Sequence, residues 1–262
     1  MITSNSNAKV KQLINWQKKR KQRDADGIFI VEGIRMFVEV PAEQVEAVYV
    51  SESFYAKYNK ELNLEKWGRK LEILSDSVFA HVSDTKTPQG VLVVVKQSEY
   101  KLENIMNPAG KTPLLMVLDN LQDPGNLGTI LRAGEAAGVT GVIMSSDTVD
   151  IYNPKVIRST MGSIYRMPFV YVENLVDVVN ELNASGVHTY AAHLKGKHSY
   201  EEENYSQKTA FLIGNEGNGL RDEVADAAEI YVKIPMCGEV ESLNAAIAAS
   251  VLMFEAARQR RR

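Results

Sequence analysis

The chain has 262 residues, 45% hydrophobic and 24% charged, with a formal net charge of −3; this is the make-up of a globular protein long enough to bury one large or two ordinary cores. No apolar run reaches the ~18 residues of a membrane span, and the opening Met1-Ile2-Thr3-Ser4-Asn5 lacks the apolar segment of a secretory leader, so a cytoplasmic protein with no membrane role is expected. Cys237 is the only cysteine, which excludes an intrachain disulfide and a thiolate cluster, and the four histidines do not group, so no metal is expected.

In chain order, residues 7–23 are expected to form one helix with Val10, Leu13 and Ile14 on one side. Residues 29–31 read as a strand that turns through Glu32-Gly33 into a helix over 34–40. A second strand covers 45–50, and Ser51 is a plausible cap for the helix carrying Phe54 and Tyr58. Strands at 71–74 and 91–95 flank a helix over 76–82, and the loop Thr85-Lys86-Thr87-Pro88-Gln89-Gly90 carries turn residues. Residues 1–97 therefore read as a small α/β domain. Residues 98–112, with scattered charges, Asn107-Pro108 and Gly110, read as a linker in which Leu102 and Ile105 are able to dock.

From Pro113 onward strands and helices alternate. The sequence predicts strands at 114–118, 142–145, 169–172, 188–192, 210–213 and 230–234, and helices at 127–137, 154–161, 175–184 and 243–258. Such alternation argues for a mostly parallel sheet covered on both faces, with ligands beyond the carboxyl ends of the strands, and 113–262 is taken as one domain.

Charge is unevenly placed. Lys9, Lys11, Lys18, Lys19, Arg20, Lys21 and Arg23 make the start basic, and Arg258, Arg260, Arg261 and Arg262 close the chain. Runs of this kind can neutralise nucleic-acid phosphates, although charge alone favours a solvated helix face and a frayed tail.

Three polar loops follow predicted strands. The first, Asp119-Asn120-Leu121-Gln122-Asp123-Pro124-Gly125-Asn126, opens a helix, and a helix N-terminus favours anions. A dinucleotide fingerprint is the obvious rival, since Asp147 follows about 20 residues on. It fails on spacing, because Asn126-Leu127 separates Gly125 from Gly128 and no third glycine arrives. Gly214-Asn215-Glu216-Gly217-Asn218-Gly219 and the stretch from Ile234 to Asn244 are the other two loops, and all three can converge on one pocket.

Asn126-Leu127-Gly128-Thr129-Ile130-Leu131-Arg132, then Gly214-Asn215-Glu216-Gly217-Asn218-Gly219-Leu220, then Ile234-Pro235-Met236-Cys237-Gly238 with Ser242-Leu243-Asn244, resemble the three motifs of the SpoU (TrmH-type) RNA 2′-O-ribose methyltransferases of the SPOUT superfamily. The likeness covers 113–262. The N-terminal part resembles that family's ribosomal-protein-like, RNA-binding substrate domain through Phe29-Ile30-Val31-Glu32-Gly33 and Thr87-Pro88-Gln89-Gly90.

The resemblance implies a deep trefoil knot, a homodimer with RNA bound across both subunits, and S-adenosylmethionine as cofactor. By motif position Gly214, Ile234 and Leu243 are expected to contact the cofactor, with Asn215, Gly219 and Met236 beside them and His193, Leu194 and Gly196 closing one side. Arg132, Asn126, Glu216, Ser242 and Asn244 are the implied catalytic set. Four of the five also have an ordinary structural reading. Arg132 can pair with Glu135, Asn126 can cap the helix from Leu127, Glu216 can be a turn residue, and Ser242 can cap the last helix. Asn244, placed one turn into that helix, is poorly explained by packing, whereas Leu243, Ile247, Val251 and Phe254 read as core or dimer interface. The implied activity is 2′-O-methylation of ribosomal RNA. The alternatives are a tRNA ribose methyltransferase and a catalytically silent RNA-binding factor in ribosome assembly.

Overall fold

The structure, a computed structural model, describes residues 1–261; Arg262 of the basic tail lies outside the described residues. The chain forms two compact units, Met1–Ser98 with Asp150–Tyr165, and Glu99–Val149 with the chain from Arg166 onward. Among the described residues no helix is long and apolar enough to cross a membrane.

In the first unit, strands β1 (Ile28–Glu32), β2 (Val45–Ser51), β3 (Leu71–Leu74) and β4 (Val91–Lys96) form a sheet of order β1-β4-β2-β3. β4 runs antiparallel to β1 and β2, and β3 lies parallel to β2. Val91 to Val95 are all buried, so this strand is covered on both faces. One face packs Ile28, Ile30, Leu92 and Val94 against Val10, Leu13, Val78 and Phe79 of flanking helices. Phe29 points the other way and stacks on Tyr152 with ring centroids 4.6 Å apart. Ser51 does cap its helix, accepting from Phe54 N at 3.1 Å.

The single helix expected over 7–23 is two, Ala8–Lys18 and Arg20–Asp26, with Lys19 extended between them. Arg23 is the reason. Only 4% exposed, it turns inward to donate to the carbonyls of Trp16 and Gln17 and to pair with Asp150. It is therefore structural and unavailable to a phosphate.

In the second unit, β5 (Leu114–Leu118), β6 (Gly141–Ser145), β7 (Phe169–Val172), β8 (His188–Ala192), β9 (His198–Ser199), β10 (Thr209–Ile213) and β11 (Ile230–Lys233) form one sheet. Its order is β7-β6-β5-β10-β8-β11-β9, and every pairing is parallel. Leu115, Val117, Ala210 and Leu212 face a core shared with Val178, Val179 and Leu182 of helix Leu175–Ala184. Leu114, Met116 and Leu118 alternate to the opposite face and are equally buried. Helix Ala245–Arg260 packs on β10 and on helix Pro124–Ala137.

The stretch read as a linker carries helix Leu102–Met106, whose Ile105 and Met106 are buried in that shared core. The expected start of the helix at Leu127 moves to Pro124, with Asp123 as its cap. The last helix begins at Ala245 rather than Leu243, and the short strand β9 and helix Asp222–Asp226 have no counterpart in the sequence reading.

The basic end of the chain is mostly engaged. Arg258 pairs with Glu255, and Arg260 donates to the carbonyls of Tyr205, Thr112, Pro113 and Gln207. Burial pulls the Arg260 guanidinium below its ordinary value.

Candidate active site

Because β5, β10, β8 and β11 are parallel neighbours, the loops that leave them emerge at the same end of the sheet. They enclose a cavity of about 340 Å³. His193 and Leu194 line it from the loop after β8, and Gly214, Asn215, Glu216 and Gly219 from the loop after β10. Ile234, Met236, Ser242 and Leu243 line it from the segment after β11.

Gly196 does not line the cavity. A Cβ there would stand 2.8 Å from the carbonyl carbon of Val232, so this glycine is needed for close packing of its loop on β11. Gly214 has the stricter requirement. A Cβ on it would lie 2.0 Å from the carbonyl carbon of Gly219, because Asn215 and Gly219 exchange backbone hydrogen bonds of 2.9 Å and fold the loop back on itself. The cavity wall here is bare peptide.

All five expected catalytic residues come from the three loops or their helices, and three of them are joined. Asn126, 8% exposed, donates from Nδ2 to Glu216 Oε1 at 3.0 Å and accepts at Oδ1 from Asn244 Nδ2 at 2.9 Å. Glu216 also accepts from Asp123 N at 2.8 Å and Gln122 N at 3.0 Å. Burial raises the Glu216 carboxyl, but the hydrogen bonds from Asn126, Gln122 and Asp123 outweigh it and hold the group below its ordinary value of 4.5. An ionised carboxylate with three donors on it is an anchor for the first loop and a poor proton acceptor.

Two structural readings change. Asn126 does not cap its helix, since Asp123 accepts from Asn126 N at 2.8 Å and fills that role. Ser242 does not cap the last helix either. Asn244 does, accepting from Ala246 N at 2.9 Å and Ile247 N at 3.3 Å, so it stands at the helix start and not one turn inside.

Arg132 lies outside this network. Its side chain is exposed and, among the described residues, makes no hydrogen bond or ion pair. The acid it was expected to meet, Glu135, pairs instead with Arg166. Sequence reasoning passed over the groups that brace the loops. Asp119, fully buried, accepts from Arg221 N at 2.9 Å and from Nε at 2.8 Å, which ties the end of β5 to the end of the second loop. Asn215 Nδ2 donates to Asn120 O at 2.8 Å across the same gap. The Asp-Pro pair at 123–124 was a usable signal for the helix start, but nothing local marks Arg221 as a partner of Asp119.

A parallel sheet whose carboxyl-end loops enclose a cavity of small-molecule size is the arrangement of an enzyme that holds a compact ligand. Family models agree on what kind: the SpoU rRNA Methylase family matches residues 113–254, and an MRM3-like substrate binding domain matches residues 7–93. The chain belongs to the SpoU rRNA methylase family.

It is similar to the 23S rRNA (guanosine(2553)-2′-O)-methyltransferase RlmP of Bacillus subtilis, 32% identical over 97% of this chain and 97% of that protein. Among solved structures it resembles an AdoMet-bound rRNA methyltransferase from Sinorhizobium meliloti, with TM-score 0.85 and 30% identity over 98% of this chain and 97% of the other. The SpoU methyltransferase AviRb from Streptomyces viridochromogenes, in complex with AdoMet, superposes with TM-score 0.83 and 29% identity over 97% and 99% of the two chains.

Proposed function

We propose that this chain transfers a methyl group from S-adenosylmethionine to the 2′-hydroxyl of one ribose in ribosomal RNA. The observation that carries the reading is the linkage of the three loop motifs, Asn244 to Asn126 to Glu216, beside a cavity walled by the peptide of Gly214. Ribosomal RNA is favoured over tRNA by the name of the Bacillus subtilis relative, which matches this chain over nearly its whole length.

The cofactor fits the residues present. The cavity falls in the roughly 300–1,000 Å³ range of small-ligand sites. Ile213, Ile234 and Leu243 offer apolar walls for a flat heterocycle, while the glycine loop offers backbone polar groups. When bound, S-adenosylmethionine would supply an electrophilic methyl on a sulfonium: the S–CH₃ bond would be exchanged for an O–CH₃ bond, the sulfur would keep the bond pair as a neutral thioether, and the 2′-hydroxyl proton would pass to solvent water.

Arg132 is the residue for the RNA side. A guanidinium stays protonated, so its work is to hold an RNA phosphate and steady the negative charge growing on the 2′-oxygen, not to take the proton. Asn126 and Asn244 each spend one amide N–H on the relay and keep a second for the substrate. Ser242 stands at the cavity edge, where its hydroxyl can meet cofactor or ribose.

The same reading carries a trefoil knot in the methyltransferase domain, supported by a strand order in which β10 sits between β5 and β8. It also carries a homodimer. Its support is the stripe of Ile247, 54% exposed, Val251 and Phe254, 44% exposed, which is not part of the core. Domain 1–97 is assigned to RNA substrate binding, and a ribosomal substrate implies the cytoplasm. Incubating the chain with methyl-labelled cofactor and an unmodified 23S rRNA transcript tests the proposal. Label is expected on a single 2′-oxygen; RNA binding with no label incorporated would overturn it in favour of the silent assembly factor.

A further inference from the structure

We propose that the loop over residues 85–89 in the first unit is a contact for the phosphate backbone of the RNA substrate, with Lys86 supplying the charge and with Glu32 and Gln89 holding the loop ready. This rests on the RNA methyltransferase reading above.

The loop is unusually well held for a segment with no core to join. None of the side chains from Ser83 to Gln89 is buried, and exposed polar loops are ordinarily the most mobile parts of a domain. Here Glu32 Oε1 accepts from Ser83 Oγ at 2.5 Å and Thr85 Oγ1 at 2.8 Å, while Oε2 accepts from Asp84 N at 3.2 Å. At the other end Gln89 Oε1 accepts from Ile34 N at 2.8 Å. Both ends of the loop are thus fastened on either side of Gly33. Between them stand Lys86 and Thr87, both exposed.

Lys86 makes no hydrogen bond or ion pair among the described residues. Of the unit's other cations, Lys9, Arg35, Lys96 and Arg158 pair with an acid, whereas Lys11, Lys18, Lys19 and Lys21, like Lys86, make no ion pair among the described residues. What sets Lys86 apart is the braced loop that carries it. Asp84, the acid closest in sequence, is taken by Arg158 at 2.7 Å. What the braces present is therefore an unneutralised ammonium beside a hydroxyl on a fixed backbone. An ammonium binds phosphate as a point charge, and hydroxyls are common donors to nucleic-acid phosphates. Fixing the loop in advance removes the ordering cost that a mobile lysine would meet on binding. The match to a substrate binding domain over residues 7–93 spans the loop and both braces.

The test titrates an unmodified 23S rRNA transcript, over a salt series, into wild type, Lys86→Ala, Lys86→Arg, Glu32→Gln and the Glu32→Gln/Lys86→Ala double variant. Lys86→Ala is expected to weaken binding roughly 3- to 10-fold and to lower the slope of log affinity against log salt by about one. Turnover at saturating RNA and cofactor affinity stay unchanged, and Lys86→Arg restores binding. Glu32→Gln trades an acceptor for a donor and should weaken RNA binding as much, with little further loss in the double variant.

Unchanged affinity and salt slope in Lys86→Ala would overturn the proposal, and this exposed substitution decides it even if Glu32→Gln fails to fold. So would a silent Lys86→Ala combined with strong loss on neutralising Lys18, Lys19 and Lys21, which would place the contact on the first helices. A wild-type chain that binds the transcript but transfers no methyl group counts against the methyltransferase reading alone, because the loop is read out through binding.

Discussion

Asn244 donates its side-chain N–H to Oδ1 of Asn126 at 2.9 Å, joining positions 118 residues apart. The direction of that bond is forced. Asn244 Oδ1 is already spent on the N–H groups of Ala246 and Ile247, so only its Nδ2 can face Asn126. Asn126 must then accept there and donate to Glu216, which fixes the orientation of both amides without any substrate.

Asn244 therefore has two separable duties. Asn244→Ala should lower the unfolding free energy by about 1 kcal/mol through loss of the helix cap, read by urea denaturation. Asn244→Asp keeps a capping oxygen but turns the donor toward Asn126 into an acceptor. It should recover the stability and not the methyl transfer.

Arg132→Ala removes a side chain with no hydrogen bond or ion pair among the described residues, so its unfolding free energy in urea should stay within about 0.5 kcal/mol of wild type. Cofactor binding by calorimetry should likewise be unaltered. Methyl transfer should fall by about 100-fold or more, the scale for removing a charge that acts in the transition state. Unaltered turnover would remove Arg132 from the site.

Glu216 links stability to pH in a stated direction. Its folded-state pKa lies below the ordinary 4.5, so its contribution is present above that value and is lost as the pH falls through the lower native one. Glu216→Gln should therefore show a shallower loss of stability than wild type on acidification below about pH 4.5. Denaturation midpoints measured from pH 7 to pH 3 would reveal the difference.

Arg260 and Arg258 separate a structural arginine from a surface one. Arg260→Ala takes one donor from each of four backbone carbonyls, three of which keep a second from Thr209, and should cost about 2 kcal/mol in urea denaturation. Arg258→Ala removes an exposed guanidinium from a Glu255 that keeps the Gln259 side-chain amide as donor, and should change stability little.

The buried strands were legible because β5 and β10 are continuous apolar runs bounded by turn residues, and β5, β7 and β8 fall on the residues expected. The break at Lys19 was not legible, as no glycine or proline marks it. It follows from Arg23 meeting Asp150, 127 positions away. For the same reason the motif residues could be picked out along the chain but not their bonds. Asn126 and Asn244 each looked like local residues of a helix, and only the packing of one loop beside another turns them into partners. The set Leu243, Ile247, Val251 and Phe254 had two readings from periodicity alone, core or dimer interface; Ile247 and Phe254 are exposed and stand outside the core, while Leu243 and Val251 are half-buried.

The place of Asn244 at the head of the last helix sets an order of events during synthesis. Asn126, Arg132 and Glu216 are all synthesised before the residue that orients Asn126, and the helix that Asn244 starts must dock before the relay can close. A nascent or prematurely terminated chain would carry most of the motif residues without an assembled site.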